Sequence, residues 1–252
     1  MSIPPSKLTT YLLALSPTAY TSATTHPFLS AAANSSLPTQ KLLQWLLQDR
    51  HYALSYISFI SLLLSKLRIP TTSNRTDTLT WRVADTLIFS LNNIKTELSL
   101  FDSVLREEFS WRSDEEVEVL PITRAYGDLF AGCGAAKVGV LEGMVVLWAT
   151  ERCYFDAWGF AKRCILDTEG SSGGGGGSSA DVEEEKGKDV LKRVFIPNWT
   201  SEEFGVFVDT LGTLVDEIAE AEGVAVGGEE WRRCEEIWRQ VLSLEERFWP
   251  TD

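Results

Sequence analysis

The chain has 252 residues, of which 44% are hydrophobic and 23% charged, a composition typical of a globular protein with its own apolar core. Its 36 acidic residues outnumber the 23 lysines and arginines, which gives a net charge of −13. This charge disfavours nucleic acid and anionic membranes as partners, because both repel an acidic protein. The N-terminal run MSIPPSKLTTYLLAL predicts no secretory signal, and no apolar run of about 20 residues predicts a membrane span.

The hydrophobic pattern predicts an all-α protein. Apolar residues repeat at steps of three and four in six segments, and strand patterns are scarce. Thr200 and Ser201, followed by two glutamates, predict the N-cap of one helix. No internal repeat is found, so we expect a single domain over 1–252. The predicted helices cover 38–67, 78–111, 121–136, 139–165, 201–222 and 228–249.

One segment, 167–189, departs from the helical pattern. It contains GSSGGGGGSS followed by ADVEEEKGKD, and its surroundings carry about five of the 13 net negative charges. A Gly/Ser run loses much conformational entropy on ordering and offers no side chains to bury. We therefore expect a disordered surface insertion between two helices, with a regulatory or docking loop as the alternative.

The cysteine and histidine content argues against a metal site. Only His26 and His51 are present, and no two cysteines form a C-x-x-C pair, so we expect no bound metal. Scattered thiols in a chain of this size suit a reducing compartment, and we place the protein in the cytosol. The four cysteines are Cys133, Cys153, Cys164 and Cys234.

Three carboxylates occupy positions that helical periodicity assigns to a buried face. Asp49, Glu151 and Glu245 each lie within an apolar stripe that contains no lysine or arginine. A buried, unpaired carboxylate is costly unless it is protonated or hydrogen-bonded. Each acid is followed three residues later by an aromatic residue, namely Tyr52, Tyr154 and Phe248.

Two interpretations of these acids remain open. Each could meet an arginine or a tyrosine hydroxyl from a neighbouring helix and be purely structural. Alternatively, the three helices converge on an aromatic-walled pocket, which is the usual form of a small-molecule site. Such walls would suit a flat heterocycle, and the carboxylates would suit its amino groups and ring nitrogens.

Other chemistries have little support in the sequence. No G-x-S-x-G, Walker A or dinucleotide-binding glycine pattern is present, and the E-x-x-H motif of dicarboxylate metal sites is absent. Tyr126 lies in a further apolar stripe, where a tyrosine usually belongs to the core. Proton-transfer chemistry and simple ligand binding therefore remain as the candidate functions.

Six segments carry a recognisable pattern, and they are, in chain order, ATTHPFLSAA, LPTQKLLQWLLQDRHYALSY, PITRAY, LWATERCY, NWTSEEF and LEERFW. In this order and at family-like intervals they resemble the TenA/thiaminase II family. The match runs from about Ala23 to Trp249, apart from the Gly/Ser insertion. The resemblance implies a haem-oxygenase-like helical bundle with a central active site and no cofactor. It also implies hydrolysis of aminopyrimidines related to the thiamin pyrimidine, and in some members cleavage of thiamin.

The resemblance assigns roles to individual residues. Asp49 would hold the pyrimidine amino group and ring nitrogen, and Glu245 matches the family's catalytic glutamate. Trp199 falls where many relatives have a tyrosine, and Tyr56 would support the acid network. The remaining substrate-binding candidates, expected to line the site or stack on the ring, are Tyr52, Tyr126, Tyr154 and Phe248.

One departure from the family pattern concerns the nucleophile. Typical bacterial members have a cysteine four residues before a tyrosine, and counting back from Tyr154 gives Thr150. Glu151 instead resembles the Glu-type branch found in eukaryotes. Cys153 is two residues from Glu151, about 200° around a helix, so it should face elsewhere. Thiamin cleavage by a thiolate is therefore not expected.

These observations favour a cytosolic aminopyrimidine hydrolase of thiamin salvage that acts on aminomethylpyrimidine or its N-formyl derivative. Glu245 would protonate the leaving amine, and Glu151 would orient or deprotonate the attacking water. Rival hypotheses are a non-catalytic pyrimidine-binding protein and a helical interaction protein that works through its acidic loop. An oxidase of the PqqC or di-iron type is disfavoured by the scarcity of histidines. As for relatives of the resembled family, we expect a homodimer or homotetramer.

Overall fold

A computed structural model describes residues 7–112, 117–169 and 189–251. Throughout these ranges the regular structure is helical and no strand occurs, so the all-α prediction is confirmed. A 3₁₀ turn at Arg75–Asp77 precedes α5, and a π-helical turn at Leu191–Phe195 precedes α8. The helices are α1 Leu8–Leu15, α2 Pro17–Thr24, α3 Pro27–Ala33, α4 Thr39–Lys66, α5 Leu79–Phe109, α6 Pro121–Gly134, α7 Val140–Glu169, α8 Ile196–Trp199, α9 Glu202–Ala221 and α10 Glu229–Phe248.

The six predicted helices correspond to α4–α7, α9 and α10. The sequence pattern missed α1, α2 and α3, which have only seven or eight residues each and so span about two turns. Pro17 and Pro27 begin two of them, where a missing backbone N–H costs no hydrogen bond.

Helix N-termini are fixed by local hydrogen bonds. Ser201 caps α9 by accepting a hydrogen bond of 3.2 Å from the backbone N–H of Phe204, and glutamates occupy the first turn. At α6, which begins with a proline, the buried Gln48 of α4 accepts a bond of 3.0 Å from the N–H of Leu120. Gln48 also accepts a hydrogen bond of 2.7 Å from the Thr123 hydroxyl. This amide therefore ties the start of α6 to α4.

Two long helices, α4 and α7, organise the packing. The α4 helix lies against α5 and α6, whereas α7 lies against α3, α9 and α10. Of the nine tryptophans, all but Trp81 are buried, so they belong to the core and supply no exposed aromatic surface for an oligomer interface. Trp45, Trp158, Trp199 and Trp249 form one aromatic group, with ring centroids 4.7 to 6.1 Å apart in the paired contacts.

The predicted insertion at 167–189 is corrected at its first residues. Helix α7 continues through Glu169 rather than ending near 165, so the chain is still helical where the insertion was expected to begin. Residues 170–188 lie outside the described residues. The expected disorder and the alternative docking role of this segment therefore stay predictions. None of the helices within the described ranges is long and apolar enough to cross a membrane.

Candidate active site

A cavity of about 90 Å³ lies between α4, α5, α7 and the α8–α9 connection. It has room for a few water molecules. Four carboxylates lie on its walls, each from a different helix: Asp49, Glu97, Glu151 and, at the start of α9, Glu203. No lysine, arginine or histidine is among the described residues that line it. The site is therefore acidic, and no positively charged side chain among its described lining residues neutralises it.

Asp49 and Tyr154 form a hydrogen-bonded pair on the cavity wall. The tyrosine hydroxyl donates to Oδ2 of Asp49 at 2.8 Å, and the carboxyl is only 4% exposed. Burial raises the pKa of Asp49 well above its ordinary value, and the nearby charge of Glu97 adds to this effect. The Tyr154 hydrogen bond opposes the shift without cancelling it. A protonated Asp49 offers one donor and one acceptor to the cavity.

Glu151 is paired with Tyr56 in the same way. The Tyr56 hydroxyl donates to Oε1 of Glu151 at 2.6 Å, and both side chains line the cavity. Burial raises the pKa of Glu151 to about 8, against the lowering effect of the Tyr56 hydrogen bond. A carboxyl with this pKa can exchange a proton near neutral pH.

Glu245 and Tyr126 form a third pair, but not on the cavity wall. The Tyr126 hydroxyl donates to Oε1 of Glu245 at 2.6 Å, and the carboxyl is 4% exposed. Burial, with a smaller contribution from the charge of Glu151, raises the pKa of Glu245 to about 8, against the lowering effect of the Tyr126 hydrogen bond. Neither of these residues nor Phe248 lines the cavity, whereas Tyr52 does.

Tyr52 packs against this third pair from the cavity side. Its ring lies 5.0 Å from that of Tyr126, at right angles, and 6.1 Å from that of Phe248. Phe248 in turn meets Tyr126 at 5.5 Å. Since neither Glu245 nor Phe248 lines the cavity, their direct contact with a bound ring stays a prediction.

Trp199 lies on the cavity wall with an acid that the sequence analysis missed. Its indole Nε1 donates to Oε1 of Glu97 at 2.5 Å. A signal was present, because Glu97 lies in the stripe Leu87, Ser90, Ile94, Glu97 and Phe101, at steps of three and four. The rule that selected the other three acids would also have selected this one.

Thr150 and Cys153 occupy the positions that the sequence predicts. Thr150 lines the cavity, and its hydroxyl is used locally, donating to the Val146 and Leu147 carbonyls. Cys153 is fully buried and does not line the cavity. Burial raises the pKa of its thiol well above the usual value, so it is not primed as a nucleophile.

Comparisons with known proteins agree with this helical site. The family model described as the TENA/THI-4/PQQC family matches residues 16–252. The chain belongs to this family. Two TenA solved structures superimpose on nearly all of it. A TenA homologue from Pyrococcus furiosus has a TM-score of 0.71 at 20% identity, covering 96% of this chain and 98% of its own. A TenA family transcription regulator from Silicibacter has a TM-score of 0.72 at 18% identity, covering 99% and 97%.

A curated relative from the fungus Fusarium pseudograminearum is 30% identical over 262 residues and carries the name "Probable transcription factor". The match covers 98% of this chain but 52% of the relative, so the TenA-family chain spans about half of that protein's length. At 18–20% identity, the solved structures show the fold and not the reaction. Membership of the Glu-type branch stays a prediction.

No group of three or more His, Cys, Asp or Glu side chains in the described part of the chain is arranged to hold a metal ion. The cavity carboxyls instead bind tyrosine hydroxyls and an indole N–H. That the activity needs no cofactor stays a prediction. The arrangement is suited to binding a flat polar ring and to moving protons.

Proposed function

We propose that this TenA-family protein is an aminopyrimidine hydrolase of thiamin salvage. It replaces the amine of an aminomethylpyrimidine with a hydroxyl group taken from water, and it releases ammonia. The supporting observation is a small cavity walled by buried carboxyls, each held by a tyrosine or tryptophan donor. Such a site combines recognition of a flat ring with groups that carry protons near neutral pH.

Asp49 recognises the ring. An aminopyrimidine presents a ring nitrogen that accepts a hydrogen bond beside an amino group that donates one. A protonated carboxyl presents the complementary donor and acceptor. The Tyr154 hydroxyl uses one acceptor site of Oδ2, which leaves the protonated Oδ1 to donate to the ring nitrogen and the second acceptor site of Oδ2 for the amino group. The raised pKa of Asp49 supplies the proton that this arrangement needs.

Glu151 and Glu245 transfer the protons. As the C–N bond breaks and the C–O bond forms, Glu151 takes one proton from water and Glu245 gives one to the departing amine. The pKa values of both carboxyls are raised to about 8, and repulsion between their charges favours a pair that shares one proton; the proposal places that proton on Glu245. The products are the hydroxymethylpyrimidine and ammonia, and the two carboxyls exchange a proton to begin again.

Tyr52 controls access to Glu245. Because its ring lies on the cavity wall in front of Tyr126 and Phe248, the substrate reaches Glu245 only when this ring rotates aside. The same movement would let Phe248 stack on the pyrimidine. Closing of the aromatic side chains around the ring would then exclude bulk water from the reacting atoms.

A non-catalytic pyrimidine-binding protein is the second candidate. Thr150 stands where the resembled bacterial proteins have a nucleophilic cysteine, and the Fusarium relative is named a probable transcription factor. This hypothesis keeps ring recognition by Asp49 but assigns no proton transfer to Glu151 or Glu245. It predicts tight binding of a pyrimidine with no product after long incubation.

Chromatography of reaction products tests the proposal. The purified protein is incubated separately with 4-amino-5-aminomethyl-2-methylpyrimidine, its N-formyl derivative and thiamin. We expect hydroxymethylpyrimidine and ammonia from the first, with loss of both in a folded Glu245→Gln variant. Product only from the formyl compound would instead indicate an amidohydrolase. No product from any of the three would leave the binding protein as the better hypothesis.

Two further properties belong to the proposal. We place the protein in the cytosol, and we expect a homodimer or homotetramer that needs no nucleic acid or membrane partner. Light scattering after size-exclusion chromatography measures the assembly directly. A monomer at micromolar concentration would contradict the oligomer but not the reaction.

A further inference from the structure

Glu97 is a cavity carboxyl to which the proposed reaction gives no role. It lies on α5, about two turns after Phe89 and one turn after Asn93, both of which also line the cavity. It faces the same space as Asp49 from α4 and Glu151 from α7. Three separate helices thus deliver one acid each to a cavity of about 90 Å³.

Trp199 fixes the orientation of Glu97. Its indole is itself held, stacked on Phe195 at 4.7 Å and packed against Trp158 at 4.7 Å and Tyr154 at 5.1 Å. The N–H group therefore has a defined direction, and its hydrogen bond to Oε1 holds the carboxylate at the cavity. Within the described part of the chain Oε2 makes no hydrogen bond to another residue, so it is available to a ligand.

The surroundings of Glu97 favour a positively charged group. No lysine, arginine or histidine lines the cavity within the described residues. The negative charge of Glu97 raises the pKa values of Asp49, Glu151 and Tyr154. A cation bound here would relieve repulsion among the acids and gain attraction that the low-dielectric interior strengthens. A neutral ligand would do neither.

The approach to the cavity has the same character. A groove beside the mouth, between α5 and α9, is lined by Asp85, Glu202 and Glu203 together with Phe89 and Phe207. Phe89, Phe207 and Glu203 also line the cavity, so the groove and the cavity are continuous. An acidic, aromatic entrance attracts cations and repels anions.

We propose that Glu97 is a further catalytic residue, whose carboxylate binds the leaving nitrogen and stabilises the positive charge that forms there when Glu245 protonates it. The inference rests on the proposed hydrolase. It also makes Glu97 a specificity determinant. The amine carries a positive charge once Glu245 has protonated it and then leaves as neutral ammonia, whereas an N-formylated nitrogen stays neutral and the formyl group presents its carbonyl oxygen to the carboxylates.

The test compares two substrates in three proteins. The aminomethylpyrimidine and its N-formyl derivative are assayed with the wild type, Glu97→Gln and Glu107→Gln. Glutamine keeps the shape and the acceptor for Trp199 but removes the charge. The Glu107→Gln control removes an exposed carboxylate of the same helix, α5, that does not line the cavity.

We expect Glu97→Gln to lower kcat/KM for the amine by about tenfold or more, the usual size of a charge-assisted hydrogen bond. The formyl compound should change by less than about threefold, so the amine-to-formyl ratio falls. Glu107→Gln should leave the ratio near that of the wild type. Equal losses for both substrates in Glu97→Gln, or an unchanged ratio, would overturn the role of Glu97.

A second variant tests the same role if Glu97→Gln does not fold. Trp199→Phe keeps an aromatic ring in the cluster and removes only the N–H donor, so it should lower the ratio in the same direction by a smaller factor. Absence of turnover in the wild type would remove the proposed function and this role together. Turnover with an unchanged ratio in both variants would remove only the role of Glu97.

Discussion

Tyr126 donates a hydrogen bond of 2.6 Å to Glu245, and neither side chain lines the cavity that holds the other buried acids. Tyr52 lies against Tyr126 at 5.0 Å with its ring perpendicular, and it does line the cavity. Tyr52 thus contacts the ring partner of Glu245 and lines the same cavity as Glu151, and the pKa values of both carboxyls are raised to about 8. The proposed reaction uses both, so their effects should be linked.

Replacing Glu151 or Glu245 with glutamine should lower kcat by about 10²-fold or more, since each variant loses one proton-transfer group. The double variant should be little slower than either single one, because groups that act as a unit are not additive. Glu246→Gln is the matched control, since this neighbour of Glu245 is exposed. Multiplicative losses in the double variant would indicate that the two carboxyls act independently.

The same pair should make stability depend on pH. In the unfolded chain both carboxyls have a pKa near 4.5, and in the folded protein the value is about 8. Between these values the folded state binds more protons, so the free energy of unfolding decreases as pH rises from about 4.5 to about 8. Asp49 and Glu97 are shifted in the same direction and add to this slope.

Glu245→Gln therefore should remove part of that slope. We expect its Tm relative to the wild type to be higher at pH 8.5 than at pH 5.5, because a buried glutamine never ionises. Thermal unfolding followed by circular dichroism at several pH values measures the difference. Parallel Tm curves for the two proteins would mean that Glu245 titrates normally in the folded state.

The long helices follow from the sequence because helical periodicity reports directly which positions are buried, and the same pattern selects three acids on buried faces. Asp49, Glu151 and Glu245 were found by this rule, and the structure gives each a tyrosine donor. Glu97 obeys the same rule. It lines the cavity, as Asp49 and Glu151 do. Its signal in the sequence is weaker, because the polar Ser90 interrupts its apolar stripe and no aromatic residue lies three positions after it.

Which acids share one cavity does not follow from the sequence. Periodicity gives the face of each helix, but the rotation of one helix against another and the side-chain rotamers depend on packing. The packing of the Tyr52 ring against Tyr126 and Phe248 depends on such rotamers. The π-helical turn at Leu191–Phe195, which leads to Trp199, likewise carries no signal in a hydrophobic pattern.

Gln48 provides a test of how the Tyr126 side of the site is supported. It accepts from the Leu120 N–H and the Thr123 hydroxyl and donates to the Glu118 carbonyl at 2.9 Å. Gln48→Leu keeps the volume but leaves these groups without partners, so we expect a loss of about 2 kcal/mol in the free energy of unfolding.

Urea unfolding of Gln48→Leu gives the stability change, and Gln44→Leu is the control. Gln44 lies one turn earlier on the same helix and is exposed, so its substitution should change stability by less than about 0.5 kcal/mol. Equal midpoints for the two variants would show that the start of α6 does not depend on Gln48.

Thr150 allows a test of whether only the missing thiol prevents thiamin cleavage. Thr150→Cys would place a sulfur atom on the cavity wall, next to Glu151 and one turn from Tyr154. Burial and the surrounding carboxyls should raise the pKa of that thiol, so the thiolate is scarce at neutral pH. We therefore expect no thiamin cleavage, and slow alkylation by iodoacetamide at the substituted position that accelerates only at alkaline pH. Thr150→Ser is the control, and rapid thiamin turnover by the cysteine variant would show that the site already activates a nucleophile.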